Sequence, residues 1–175
     1  MSAADRLAID DLGEFLAHAG ALEREALERY EELASQMEVH NNPEVAELFA
    51  KLAEIEKKHM AKIEARSGGV EVPHVAPWEY KWEDPEGPET AQTFDAHYLM
   101  TPYHALQMAL KAERKAAEFL NLVASRTANE KVRQMATEMA AEEREHVELV
   151  RQWLARYPKP EDGWDEDFDP PILPD

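Results

Sequence analysis

The chain has no cysteine among its 175 residues. That absence excludes disulfides, thiolate zinc sites, iron–sulfur clusters and a rubredoxin-type iron centre. No apolar run approaches the length needed to span a bilayer. The N-terminal stretch lacks the basic and apolar regions of a signal peptide, so a cytoplasmic location is expected. Positive charge is scarce: 19 Lys and Arg stand against 37 Asp and Glu, a formal charge of -18. Nucleic acid and anionic membrane would both be repelled, whereas cations would be attracted. Glycine is also sparse, at 6 residues, while apolar residues make up 44% of the chain. This composition favours a helical globular protein over disorder.

Four segments carry apolar residues at three-and-four spacing, the signature of amphipathic helices. The first covers residues 11–37, with Leu12, Phe15, Leu16, Ala19, Leu22, Ala26, Tyr30 and Leu33 on one stripe and Asp10 or Asp11 as N-cap. Asn41-Asn42-Pro43 breaks the pattern, and Pro43 suits the first turn of a second helix over 43–66, stopped by Ser67-Gly68-Gly69. Thr101-Pro102 opens a third helix, to about residue 124, and a fourth covers 130–157. Between the second and third lie residues 67–100, with four prolines and the aromatics Trp78, Tyr80 and Trp82. A structureless stretch of that length normally counts against an assignment. Two antiparallel hairpins whose inner helices run the same way need such a crossover, however, with the aromatics as packing anchors. Residues 1–157 are thus expected to form a four-helix bundle, and 158–175 an extended, acidic, Pro-rich tail. Trp164, Phe168, Ile172 and Leu173 are the tail's candidate docking residues.

The second hairpin repeats the first. His146 follows His59 by 87 residues, as Asn129 follows Asn42 and Val132 follows Val45. Glu113 follows Glu23 by 90, so the second turn is three residues shorter.

Glu-x-x-His is a weak motif alone, and Glu71-x-x-His74 in the proline-rich connector shows how readily it arises by chance. Glu56-x-x-His59 and Glu143-x-x-His146 differ because they lie on helical apolar stripes, where core residues belong. At a spacing of three, Glu and His share one helix face and can reach one ion. Glu23 and Glu113 each fall 12 residues beyond the start of their helix, at Asp11 and Thr101. They could therefore meet the two Glu-x-x-His pairs at mid-bundle. Burying a carboxylate without a partner costs several kcal/mol, and two cations would supply the compensating charge. Carboxylate-rich sites with one imidazole per metal suit iron or manganese, with zinc as a substitute. Glu142 competes with Glu143, being four residues before His146, but the repeat aligns Glu142 with Ile55 and Glu143 with Glu56. Tyr30 is a candidate to hydrogen-bond a ligand carboxylate or relay electrons; the plain alternative is a core tyrosine. His18 and His104 fall near the bundle ends and are expected to be structural or exposed. His40, His74 and His97 have no assigned role.

Glu23 with Tyr30, Glu56-x-x-His59, Glu113 with Phe119, and Glu143-x-x-His146 together resemble the rubrerythrin branch of the ferritin-like superfamily, over roughly residues 11–155. The resemblance implies an all-α, ferritin-like four-helix bundle with a di-iron carboxylate site that reacts with hydrogen peroxide or dioxygen. Glu23 and Glu113 would be single-carboxylate ligands, Glu56 and Glu143 bridges, and His59 and His146 one cap per ion. Two departures bear on function. Typical rubrerythrins have a four-cysteine, rubredoxin-like domain that delivers electrons; without it, the donor must be a separate partner. Many have a further glutamate three residues after the third-helix ligand, where this chain has Ala116, which moves the site toward a ferritin or bacterioferritin pattern. The expected activity is a peroxide or dioxygen reductase. A ferroxidase or iron-binding cargo protein is the second reading, and a metal-free structural bundle the third. Bundles of this size commonly pair, so a homodimer is expected.

Overall fold

Asp11 and Asp10, adjacent in the chain, do different jobs, and together they fix one end of the molecule. The structure, a computed structural model, describes residues 8–76, 79–82 and 101–163. Asp11 is the N-cap of helix α1 (Leu12–Val39), its carboxylate accepting from the Glu14 N–H at 2.8 Å. Asp10 instead accepts from the Ala128 N–H at 2.7 Å and the Thr127 hydroxyl at 3.1 Å, tying the start of α1 to a turn over a hundred residues away.

Helix α2 (Pro43–Ser67) begins on Asn42 with Pro43 in its first turn and ends at Gly68, in the left-handed region at φ 45°. Helix α3 (Pro102–Arg126) follows Thr101, whose N–H is received by His104 Nδ1 at 3.3 Å. Helix α4 (Glu130–Leu154) is capped by Asn129, which accepts from the Lys131 and Val132 N–H groups. The described residues contain four helices and no strand. The boundaries depart slightly from the sequence pattern. Helices α1 and α3 each run two residues further than expected, and α4 stops at Leu154 rather than Tyr157. Pro158 accounts for the last difference: it disfavours helical backbone at the residue before it, and the chain leaves in a tight turn, with Tyr157 N–H bonded to the Leu154 carbonyl.

The helices pair closely within each hairpin, α1 with α2 and α3 with α4, while backbones from different hairpins approach one another at few points. Side chains fill the space between. One apolar cluster joins the second half of α1 (Tyr30, Leu33, Met37) to the start of α2 (Val45, Phe49, Leu52), the start of α3 (Leu106, Leu110) and Val150 of α4. A second joins the start of α1 (Phe15, Leu16, Leu22) to Ile63, to Phe119 and Val123 of α3, and to Val132 and Met139 of α4. The ends of α2 and α3 therefore lie together, so these helices run in the same direction, as a ferritin-like bundle requires.

The first part of the crossover stays at the end where α2 finishes. Tyr80 and Trp82 stack on each other with ring centroids 4.4 Å apart, and both meet His18 edge-on. His18 Nδ1 lies 2.8 Å from the Glu14 carbonyl, and its Nε2 accepts the Lys81 N–H at 3.0 Å. These bonds fix the ring as a neutral imidazole, and burial lowers its pKa. His18 is thus structural, as its position suggested. Gly13 lets the strap after α2 lie against α1, because a Cβ there would come within 2.4 Å of the Glu71 carbonyl oxygen. Thr101 opens α3 at the opposite end, so residues 83–100 link the two ends. A 25-residue helix is about 37 Å long and 18 extended residues span up to about 60 Å, so the connection is long enough. Trp78, His97 and the tail residues Trp164, Phe168, Ile172 and Leu173 lie outside the described residues.

Candidate metal centre

Between the two apolar clusters the core changes character. Glu23 from α1, Glu56 and His59 from α2, Glu113 from α3, and Glu143 and His146 from α4 all point inward, and each is at most 8% exposed. The i, i+3 spacing puts each Glu-x-x-His pair on one helix face. The apolar stripe above and below turns that face toward the core.

The imidazole rings of His59 and His146 stack nearly parallel, with centroids 5.3 Å apart and an interplanar angle of 7°. Each presents Nδ1 to the carboxylates. His59 Nδ1 lies 3.4 Å from Glu23 Oε2 and 3.4 Å from Glu56 Oε2. His146 Nδ1 lies 3.2 Å from Glu56 Oε1, 3.4 Å from Glu113 Oε2 and 3.5 Å from Glu143 Oε2. Glu56 therefore turns one oxygen toward each imidazole. The donor atoms form overlapping groups, with all members of a group within 4.8 Å of one another. Glu23, Glu56, His59 and Glu143 make one group; Glu113, Glu143 and His146 another; Glu56, His59 and His146 a third. Glu56 and Glu143 are the carboxylates that recur, the placement a bridging ligand needs.

The donor set fits two metal ions, because its buried carboxylate oxygens and imidazole nitrogens converge on shared points. Both oxygens of Glu56, Oε2 of Glu113 and Nδ1 of both imidazoles are buried without a hydrogen bond. Such atoms are rare in a folded protein and call for an ion or another explanation.

In the metal-free site, protons offset part of the charge. Burial acts to raise the Glu56 carboxyl, but the His146 and His59 imidazoles and the Glu23 carboxyl beside it outweigh that and hold it well below the usual carboxylate range. Burial likewise opposes ionisation of Glu113, and His146, Glu143 and the Arg29 charge overcome it. For His146, burial favours the neutral ring, yet Glu113, Glu143 and Glu56 raise its pKa far above the ordinary value. A metal entering this site must displace that imidazolium proton.

Among the described residues, the candidates chosen from the sequence converge here, and the rejected motif does not: Glu71 and His74 are exposed on the connector. Glu143 lies in the cluster. Its neighbour Glu142 sits outside it, with Oε1 2.6 Å from Lys62 Nζ and Oε2 3.8 Å from the far nitrogen of His59, Nε2. Tyr30 is fully buried, with its ring 5.9 Å from that of Phe49 and under the Arg29 guanidinium at 4.5 Å. Its hydroxyl makes no hydrogen bond, so the expected bond to a ligand carboxylate is not formed. Sequence reasoning missed Arg29, which is 4% exposed and donates from Nη2 to Glu113 Oε1 at 3.4 Å. The available signal was its position: Arg29 falls seven residues after Leu22 and three after Ala26, on the stripe that carries Glu23.

Four helices in two hairpins around a buried cluster of four carboxylates and two imidazoles define a ferritin-like protein with a candidate dinuclear metal centre. The rubrerythrin family model matches residues 14–154, and the chain belongs to that family. Among solved structures, the chain is similar to an uncharacterised conserved protein from Magnetospirillum magnetotacticum MS-1, with a TM-score of 0.73 and 42% sequence identity. That match covers 86% of this chain and 98% of the other. No curated protein matches the chain significantly.

Proposed function

We propose that this protein is a non-haem di-iron oxidoreductase that reduces hydrogen peroxide or dioxygen, with manganese as an alternative metal. The observation that carries the reading is the convergence of buried carboxylate and imidazole donor atoms, all members of a group within 4.8 Å of one another, centred on a glutamate whose two oxygens face two imidazoles. Glu23 and Glu113 would each ligate one ion, Glu56 and Glu143 would bridge, and His59 and His146 would each bind through Nδ1. Bound iron would supply reversible one-electron redox steps and Lewis acidity at an oxygen atom.

The chain's own residues provide the setting. The apolar clusters above and below exclude water from the ligand layer. The close-packed helix pairs hold the ligands at fixed spacing. Tyr30, buried in the apolar cluster against Phe49 and Arg29, would relay electrons. Reduction of peroxide to two waters consumes two electrons and two protons. These 175 residues hold no cysteine-based centre, so the electrons would come from a donor outside them. We expect the protein to act in the cytoplasm as a homodimer and its tail to dock on a partner. No helix among the described residues is long and apolar enough to cross a membrane.

Ala116 favours one other reading. It is fully buried on α3, where a seventh ligand would otherwise stand, and the remaining six-ligand set suits a ferroxidase or iron-binding cargo protein. Stopped-flow mixing of the diferrous protein separates the two. Much faster oxidation by hydrogen peroxide than by dioxygen supports the reductase, and the reverse order supports the ferroxidase. Protein that binds no iron or manganese, with thermal stability unchanged on metal addition, would remove both.

A further inference from the structure

The ligands of the two ion positions are duplicated, but their surroundings are not. Six residues after Glu23 stands Arg29, and six after Glu113 stands Phe119. Arg29 reaches across from the first hairpin to the second hairpin's single glutamate: Nη2 lies 3.4 Å from Glu113 Oε1, with the two side chains 3% and 0% exposed. Glu113 is thereby divided, with Oε1 on the guanidinium and Oε2 toward His146 Nδ1. Phe119 cannot return the favour to Glu23. Its ring instead packs against His18 and Trp82. The other asymmetry has the opposite sign. Glu142 places a carboxylate beside His59, whereas its counterpart in the first hairpin, Ile55, packs on the apolar core.

We infer that Arg29 makes the two ion positions unequal: the position at Glu23, Glu56, His59 and Glu143 takes the first divalent cation, and the position at Glu113, Glu143 and His146 takes the second more weakly. This inference rests on the two-ion reading above. An arginine does not shed its proton in a protein, so its charge is permanent. With neutral imidazoles, four carboxylates and one guanidinium give the layer a charge of minus three. The first divalent ion brings it to minus one, and the second carries it past neutrality to plus one. Buried net charge is costly, so the second ion binds against a resistance that the first does not meet. The resistance concentrates where the guanidinium stands, beside Glu113. That carboxylate offers the incoming ion one oxygen rather than two. Without Arg29, two divalent ions would neutralise four carboxylates.

Cobalt(II) titration of the chelator-stripped full-length protein tests this by calorimetry and by the optical bands of the bound ion. Wild type is expected to take two ions in resolved steps whose affinities differ by at least about tenfold, given the size of charge–charge interactions inside proteins. Arg29→Met should bring the two steps together, and Arg29→Lys, which keeps the charge, should keep them apart. Glu113→Gln should weaken the second step alone, and Glu23→Gln should abolish the tight step and leave the weak one. The two glutamine variants keep the assignment testable if Arg29→Met does not fold. Two equal steps in wild type, or an unchanged separation in folded Arg29→Met, would overturn the role of Arg29. Loss of the tight step in Glu113→Gln would reverse the order of loading and overturn it too. A wild-type protein that binds no cobalt would instead remove the two-ion reading itself.

Discussion

The two hairpins start from one pattern and end as unequal partners. Both supply a single glutamate, then a Glu-x-x-His pair, at matched helical positions. Around those ligands, the first hairpin adds Arg29 and Tyr30 where the second has Phe119 and Leu120. The second adds Glu142 where the first has Ile55. The first hairpin also has a strap after α2, pressed against Gly13, whose counterpart 90 residues on is Tyr103. The comparison teaches that a repeat can keep a ligand set while its neighbours diverge. The six buried donor residues keep their register between the hairpins, whereas the residues beside them differ in size and charge.

The strongest way to break the comparison is at Glu56, which serves both halves. Glu56→Ala is expected to lose both ions, whereas Glu23→Ala should lose one, as measured by elemental analysis after reconstitution with iron. Retention of two ions by Glu56→Ala would sink the bridging assignment.

The next effect is on pH dependence, because the metal-free and metal-loaded proteins should respond oppositely. Glu56 and Glu113 are held below the ordinary carboxyl value of 4.5, so their contribution is present above that value and is lost as pH falls below it. His146 is raised above the ordinary 6.5, so its contribution is complete below 6.5 and declines as pH rises. The slope for a single group is at most about 1.4 kcal/mol per pH unit. The metal-free thermal midpoint should therefore peak between these two values and fall on either side. The gain from metal should grow with rising pH, since ligation requires the neutral ring. His146→Ala should flatten the alkaline limb. Thermal melts of both forms across this range provide the check, and a metal-free protein that gains stability above 6.5 contradicts it.

Gly13→Ala acts on one hairpin alone. The added carbon would force the strap from α1 at a cost of about 1–3 kcal/mol in urea unfolding, with metal stoichiometry unchanged. A neutral result would mean that the strap yields freely.

Smallest of all is Glu142→Gln. Glu142 pairs with Lys62 near the surface, so the change should cost less than about 1 kcal/mol and leave two ions bound. Loss of an ion would show that Glu142, rather than Glu143, is the ligand on α4.

Much of this protein was legible along the chain. Helical period placed Glu23, Glu56, His59, Glu113, Glu143 and His146 on core-facing stripes. The repeat chose Glu143 over Glu142, and the fold sets them as that choice requires. Asp11 and Thr101 before their helices, and Pro43 in the first turn of α2, marked the helix starts. The end of α4 was less legible, because apolar spacing continues through Trp153 and Tyr157 while Pro158 acts on the backbone before it. Arg29 was missed because a long side chain on an apolar stripe can either reach outward to solvent or bury a charge. Its neighbours along α1 do not decide which, and Glu113 lies on another hairpin.

The sequence by itself determined the four helices, their breaks and the level at which the six candidate ligands stand, because these follow from periods and caps spanning only a few residues. Tertiary structure alone decided that Glu56 divides its oxygens between two imidazoles, that His18 receives the Lys81 amide, and that Arg29 settles on Glu113. Each of these depends on a contact between segments far apart in the chain: Glu56 with His146, His18 with Lys81, and Arg29 with Glu113. Its length and direction depend on how closely the hairpins approach, which no local spacing fixes.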